Sequence, residues 1–485
     1  MTAAPADELA VTPEIRRFLP WLVAVALFME NLDATIVNTA VPVMADNLRV
    51  VPLALKAVLT SYTLSLAVFI PISGWMADRF GTRRVFFHAV ALFTVGSLLC
   101  GLSINVPMLV ASRILQGIGG AMMTPVARIA IVRTFPRSEL LRTMNFVIIP
   151  ALIGPLLGPF VGGLIVHWLN WRMIFFVNLP FAVVGLWMVH RYMPDFHEPD
   201  AKPLDRTGFL LFGAGIALLS YVLEIFGEHT LDAGRLSLLT AISLLLLAAY
   251  GWHARRASSP VLALELFRIR TFRLSVIGGS VTRIGVAGMP FLLPLLYQIG
   301  LGYAPWQAGL LTMPTAAAAM LMKLSSQPLL ARFGHRTILL TNTLLIGVVM
   351  MLFTLIGPGA SVWTILALSF CQGFFLSLQF TSMNSLIYAD VTDRDASKAS
   401  SIGSTGQQLS LSFGVAFGSL VAGWFLRGLN QSNPAEIIPA LHKAFITMGL
   451  LTMASASTYW WLHRNDGNSV SNRPTQPDEA GVQPA

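Results

Sequence analysis

Fourteen apolar stretches, each near the length a helix needs to cross a bilayer, fill most of this 485-residue chain. They fall at roughly 18–43, 53–76, 84–103, 107–132, 143–167, 171–192, 207–227, 233–252, 272–298, 305–330, 337–357, 361–388, 400–426 and 439–463. Charged residues make up 11% of the chain and hydrophobic residues 55%, with a mean hydropathy of +0.68. That is too little charge to coat a water-soluble core of this size, so the expected class is an all-α polytopic membrane protein. The first stretch is too long for a cleavable signal peptide and runs on into a polar-lined helix.

An even number of spans puts both ends of the chain on one side. With that side cytoplasmic, 22 of the 32 Lys and Arg residues lie in inside segments and 6 in outside ones, a strong positive-inside bias. The net charge of +9 is then topogenic and suited to anionic lipid head groups, with no need of nucleic acid. Cys100 and Cys371 both sit in apolar stretches and match no metal or redox spacing. No metal and no cofactor is expected.

A repeat organises the fourteen spans. Arg79-Phe80-Gly81-Thr82-Arg83 after the second recurs as Arg332-Phe333-Gly334-His335-Arg336 after the tenth, 253 residues on. Gln116-Gly117 recurs as Gln372-Gly373, and Gly158 and Gly162 recur as Gly414 and Gly418, both at an offset of 256. Three matches in order at nearly one offset divide the chain into an N-terminal segment 1–17, six helices over 18–195, a linker with two inserted helices over 196–271, six more helices over 272–463, and a tail 464–485 expected to be disordered.

Charge inside the spans is where chemistry is expected, because an ionised side chain at bilayer depth costs at least about 2.5–3.5 kcal/mol. Glu30 and Asp33 stand on the first helix, about 60° apart on one face. Arg113 on the fourth lies at a depth that lets it pair with Asp33 if the helices touch, and a carboxylate whose Arg partner moves is a proton-coupling device. The alternatives are a structural hydrogen-bond role for either acid and snorkelling of Arg113. Arg283, near the middle of the ninth helix, suits an anionic substrate group or an internal pair with Glu30 or Asp33. Lys323 is expected to snorkel and Arg128 to sit at the interface. Asn38, Gln116, Gln298, Gln372 and Gln379 are polar groups at membrane depth, suited to lining a cavity or to holding helices together.

Two further segments carry mechanical expectations. Gly74 and Gly81 bracket a turn in which Asp78, Arg79 and Arg83 can form an ion-pair latch, or merely fix topology. In the second half Gln327 and Ala331 replace the glycine and the acid, so only the first loop should form a full latch. On the fifth helix Gly154, Gly158, Gly162 and Gly163 allow close helix approach, and Pro155 and Pro159 remove backbone donors.

Parallel six-helix halves with a midplane site resemble a major facilitator transporter. Gly74-Trp75-Met76-Ala77-Asp78-Arg79-Phe80-Gly81-Thr82-Arg83-Arg84 is similar to that superfamily's signature loop, and Arg113-Ile114-Leu115-Gln116-Gly117 to its fourth-helix motif. Gly158-Pro159-Phe160-Val161-Gly162-Gly163 resembles its antiporter motif. The segments Leu32-Asp33-Ala34-Thr35-Ile36-Val37-Asn38 and Trp171-Arg172 through Asn178-Leu179-Pro180 resemble hallmarks of its fourteen-helix drug:proton antiporter family. The resemblance spans residues 15–465 and implies the major facilitator fold, a pliant fifth helix that closes the cytoplasmic side, and a bacterial inner-membrane protein acting as a monomer. Some relatives work with a periplasmic adaptor, for which no residue here speaks.

The energy source follows from what is missing. None of the five lysines follows a glycine as a Walker A loop requires, and no His-Glu-x-x-His occurs. An ion gradient remains, and the buried acids suit protons. The expected function is proton-coupled export of amphipathic small molecules by alternating access, with an exporter of an anionic or zwitterionic metabolite as the alternative. A membrane receptor or intramembrane enzyme would need neither the repeat nor the glycine-proline helix.

Overall fold

The computed structural model describes residues 12–198, 203–225, 233–392, 395–429 and 433–471. Helices dominate. In chain order they are α1 (Pro13–Ile36), α2 (Lys56–Phe80), α3 (Thr82–Gly101), α4 (Val106–Thr134), α5 (Arg137–Trp168) and α6 (Asn178–Tyr192), then α7 (Arg206–Ile225) and α8 (Ala233–Ala254). The second set begins with α9 (Arg270–Val286), whose span is completed by the short helix Met289–Leu295 and the π turn Leu296–Gly300, followed by one long helical run, Pro305–Leu352. It ends with α12 (Val362–Leu386), α13 (Ala396–Phe425) and α14 (Pro434–Ser455).

By length and apolarity alone, thirteen of the described helices can cross a membrane. The long run contains a break at Gly334, whose φ of 76° and ψ of 161° are not helical. Split there, into α10 (305–333) and α11 (335–352), the run supplies two spans and the total is fourteen. The equivalent break at Gly81, φ 91°, separates α2 from α3. Positive φ is costly for any residue with a Cβ, which is why glycine recurs at both places.

Gly74, expected to bracket that turn, instead lies inside α2, and a Cβ there would meet nothing within 4 Å. The glycine that makes the turn is Gly81 alone.

Repeated sequence gives repeated contacts. Gly117 of α4 lets α2 approach at Tyr62 and Ser65, and Gly373 of α12 lets α10 approach at Thr315. Gly158 and Gly162 of α5 pack on Thr35 and Ile36 at the end of α1, while Gly414 and Gly418 of α13 pack on Ala287 and Gly288 at the end of α9. The two sets of helices then meet through α5 against α10 and α2 against α13. Those pairs exchange under the repeat, as a pseudo-two-fold requires.

The inserted α7 and α8 pack on each other, and α7 also contacts α2 and α13. Lys56 Nζ donates to the Glu224 carbonyl at 2.7 Å and Thr60 Oγ1 to Glu224 Oε2 at 3.1 Å, pinning the end of α7.

The expected disordered tail lies mostly outside the described residues, as does the N-terminal segment up to residue 11. Residues 464–471 differ from that expectation because they are ordered. Arg270 Nη2 donates to Asp466 Oδ1 at 2.5 Å, Ser469 Oγ donates to the Ala389 carbonyl at 2.9 Å, and Asn468–Ser471 form a helical turn. Burial raises the Asp466 carboxyl above its ordinary value, with Arg270 opposing.

Candidate functional site

Asp33 is completely buried, one turn before the end of α1, where the glycines of α5 bring two backbones close enough to exclude solvent. Its Oδ2 accepts from Arg113 Nη1 at 2.6 Å. Its Oδ1 accepts from Gln116 Nε2 at 2.8 Å and from Asn178 Nδ2 at 2.7 Å. Arg113 also donates from Nη1 to Gln116 Oε1 at 2.7 Å and from Nε to the Val58 carbonyl at 3.2 Å, with the Tyr62 ring 4.3 Å from its Cζ. Asn178 donates onward to Ser97 Oγ at 3.0 Å, and Ser97 to the Phe175 carbonyl at 2.8 Å.

The cluster therefore joins α1, α2, α3, α4 and α6. Arg113 is paired and does not snorkel. Removing one partner of such a buried pair costs about 3–5 kcal/mol because the other charge is left uncompensated.

Glu30 stands apart from this cluster. It is half-buried, and its Oε2 accepts from Thr124 Oγ1 of α4 at 2.6 Å. Thr124 lines a cavity of about 1600 Å³ between the two helix sets, open at the arginine-rich end. Its wall also carries Arg128, Arg133, Arg255, Arg268, Arg273 and Lys398, against the acids Asp78 and Glu265. Arg128, expected at the interface near the inner end of its helix, lines this cavity, with Nη1 3.4 Å from Ser400 Oγ of α13.

Arg283, expected to line a substrate cavity, is not among the residues that line this one: its Nη2 donates to Asn384 Oδ1 at 2.9 Å and its Cζ lies 5.2 Å from the Phe380 ring. It pairs with neither Glu30 nor Asp33. Lys323 is exposed on α10 between Leu321 and Leu324, both also exposed.

The expected cavity amides are placed elsewhere than the large cavity. Gln116 belongs to the Asp33 cluster. Gln379 accepts from Asn342 Nδ2 at 2.9 Å and donates to Thr343 Oγ1 at 2.7 Å, tying α12 to α11. Gln372 is buried on α12 beside Gly373, and its Oε1 lacks a hydrogen-bond partner among the described residues. Asn38 opens the 3-10 turn Asn38–Ala40 that follows α1. Gln298 Nε2 donates to the Thr39 carbonyl at 2.8 Å, and Thr39 Oγ1 to the Pro159 carbonyl at 3.0 Å. This chain of bonds links the two helix sets at the end opposite the cavity.

That end is shut by α5 and α10. A Cβ on Gly163 would run into the Pro305 carbonyl, and one on Gly309 into the Pro159 carbonyl, so both backbones touch where side chains are missing. Trp168 and Trp306 stack nearby, with centroids 6.5 Å apart. Gly154 packs on α1 at Phe28–Leu32. Pro155 and Pro159 lie within α5, whose helical run continues through both. The glycine-proline helix is thus seated on α1 and α10 and seals the far end, while the arginine-rich end stands open.

The loop motif is tied differently from the expectation. Asp78 Oδ1 pairs with Arg133 Nη2 of α4 at 3.0 Å, and Arg133 also reaches Glu198 Oε1 at 2.9 Å. Arg79 is exposed. Arg83 Nη2 donates to the His190 carbonyl and its backbone N–H to Asp195 Oδ1 at 3.2 Å. A Cβ on Gly81 would collide with that Asp195 carboxylate. The strand of chain leaving α6 thus closes over the turn. Arg133, Asp195 and Glu198 were absent from the expected latch because nothing local to the motif points to them.

Asn178, Ser97, Tyr62 and Thr124 were likewise not among the expected site residues. For Asn178 a signal existed in the Trp171–Pro180 segment, which was noted for its resemblance and not for its amide. For the other three, only neighbours in space make them distinctive.

Two repeated helix sets around a cavity closed at one end describe a membrane transport protein. A family profile for the Major Facilitator Superfamily matches residues 23–410 and 276–485. The chain belongs to that superfamily. It is 39% identical over 426 residues to the "Putative multidrug resistance protein MdtD" of Serratia proteamaculans, covering 88% of each chain. It is 40% identical to the protein of that name from Cronobacter sakazakii, covering 86% of this chain and 88% of the other. Among solved structures, an inward-facing, unoccupied bacterial homolog of the human lysosomal transporter Spinster covers 96% of this chain and 100% of its own at TM-score 0.65 and 16% identity. A D-xylose–proton symporter covers 93% and 99% at TM-score 0.65 and 15% identity. At those identities the likeness is one of fold.

Proposed function

We propose that this chain is a proton-coupled antiporter of the fourteen-helix drug exporter type, carrying amphipathic small molecules out of a bacterial cytoplasm across the inner membrane. The arginine-rich end is cytoplasmic in this reading, both termini included, so the conformation faces inward. The working units are two six-helix bundles, 18–195 and 272–463, joined by 196–271 with its inserted helices, and one chain suffices for transport.

One observation carries the reading. Two carboxylates one turn apart on α1 have opposite settings: Asp33 is locked to Arg113 inside the first bundle, and Glu30 meets Thr124 at the wall of the open cavity. Protonating Asp33 would remove the charge that holds Arg113, at the centre of a cluster that joins five helices. A proton there is therefore coupled to how the bundle packs, and alternating access is a change of packing between bundles. Glu30, bonded to the cavity-lining Thr124, is the α1 carboxylate nearest to a cationic substrate in the cavity. The names of the MdtD relatives support drug-like substrates.

Everted vesicles holding a pH gradient test the reading. Addition of a transported compound should collapse the gradient with the native chain and leave it intact with Asp33→Asn. Equal collapse by both would remove Asp33 from coupling.

A further inference from the structure

Arg283 is 4% exposed and sits in the last turn of α9, near the middle of the apolar span Arg270–Gly300. A guanidinium offers five N–H donors, and a buried one is costly unless an anion balances it. Arg113, the other buried arginine among the described residues, has a carboxylate, an amide and a carbonyl. Arg283 has a neutral amide oxygen and the face of Phe380, and among the described residues no carboxylate lies within ion-pair distance of it. The two acids that sequence reasoning offered as partners are both engaged on the other bundle, Asp33 by Arg113 and Glu30 by Thr124.

The surroundings point to a ligand. Asn384 is exposed although it sits on a membrane-spanning helix, and it belongs to a stripe Phe380, Asn384, Tyr388 at intervals of four along one face of α12 and its continuation. Tyr388 lines the large cavity, so the stripe leads from the cavity to Arg283. Four of the cavity's arginines, Arg128, Arg255, Arg268 and Arg273, have no ion pair among the described residues. Positive-inside topology accounts for arginines near a membrane surface but not for one in the middle of a span. A cleft lined by one sign of charge concentrates ligands of the opposite sign.

We propose that Arg283 and Asn384 form a subsite for an oxyanion, a carboxylate or sulfonate, carried on an amphipathic substrate whose apolar body packs against Phe380. The guanidinium takes two oxygens of the anion, and the Asn384 amide turns its N–H₂ to the ligand. Its role in transport rests on the exporter reading, but its occupancy does not.

Equilibrium dialysis of the full-length protein in nanodiscs tests it, with 2-naphthoate, the neutral 2-naphthamide and the cationic 2-naphthylmethylammonium as size-matched probes. Native protein should bind the carboxylate about tenfold more tightly than the amide, the scale of one hydrogen bond to a charged group. Arg283→Gln should abolish that preference while leaving the ammonium probe unchanged, and Arg283→Lys should keep part of it. Equal binding of naphthoate and naphthamide by the native chain overturns the subsite, as does an equal loss for all three probes in Arg283→Gln. If Arg283→Gln fails to fold, Asn384→Ala decides: a reduced naphthoate preference supports the subsite and an unchanged one removes it. Vesicle gradients report separately on export, so a chain that binds naphthoate through Arg283 but collapses no gradient refutes the exporter reading alone.

Discussion

The side-chain amide of Asn178 donates to Asp33 Oδ1 at 2.7 Å, across 145 residues of sequence and from the first turn of α6 to the last turns of α1. With Gln116 on the same oxygen and Arg113 on the other, the carboxylate accepts three donors and is sealed from solvent. An acid held this way is tied to the arrangement of its donors, so losing the charge and rearranging the helices become one event.

Replacing Asp33 by Asn should therefore do two separable things. Thermal unfolding of the purified chain should fall, because Arg113 is left buried without a counterion, a loss of about 3–5 kcal/mol. The double substitution Asp33→Asn with Arg113→Gln should recover most of that stability. Proton-driven export should be absent from both. Recovery of export in the double variant would show the pair to be structural.

Asn178→Ala removes one donor from Asp33 and the only one that also grips Ser97. The expected cost is about 1–3 kcal/mol of stability, as for a buried acceptor losing a partner. Because Arg113 and Gln116 remain, export should persist with a shifted pH profile. An unshifted profile would place Asn178 outside the coupling cluster.

At the far end, Gly309→Val should prevent α5 and α10 from closing, since even a Cβ has no room beside the Pro159 carbonyl. In a background with Cys100 and Cys371 replaced by alanine, a cysteine at position 38 should react with an impermeant maleimide much faster in that variant. An unchanged rate would mean the backbones do not need this contact to seal the end.

At the open end, Arg133 bridges Asp78 and Glu198 at half-exposed positions. Exposed pairs contribute at most about 1 kcal/mol, so Asp78→Asn should scarcely move the unfolding temperature. If the bridge holds one conformation against another, the same variant should slow export at unchanged substrate affinity. A fall in affinity with no change in maximal rate would contradict the latch.

Particular residues show how much was legible. The pairing of Asp33 with Arg113 could be anticipated because both charges lie at matching depth in spans where charge is expensive, and few alternatives exist in a bilayer. The breaks at Gly81 and Gly334 followed from a repeated loop in which glycine alone tolerates the backbone. The Asp78 partner could not be anticipated: the motif holds three arginines of its own, and geometry selected Arg133 from another helix. Gln298 and Gln379 were equally opaque, since an amide at membrane depth serves a cavity or a helix contact with the same sequence signature.

Composition and spacing by themselves determined that this chain spans a membrane in fourteen helices arranged as two repeats, because hydrocarbon tolerates no unpaired backbone and few charges, and both constraints act on single segments. Which end is shut, which polar groups meet and, among the described residues, which buried cation stands without an anion were decided only by the tertiary structure. Those outcomes depend on the rotation and approach of helices far apart in sequence, where a glycine facing a carbonyl or an amide facing a carboxylate sets the contact and no local pattern records it.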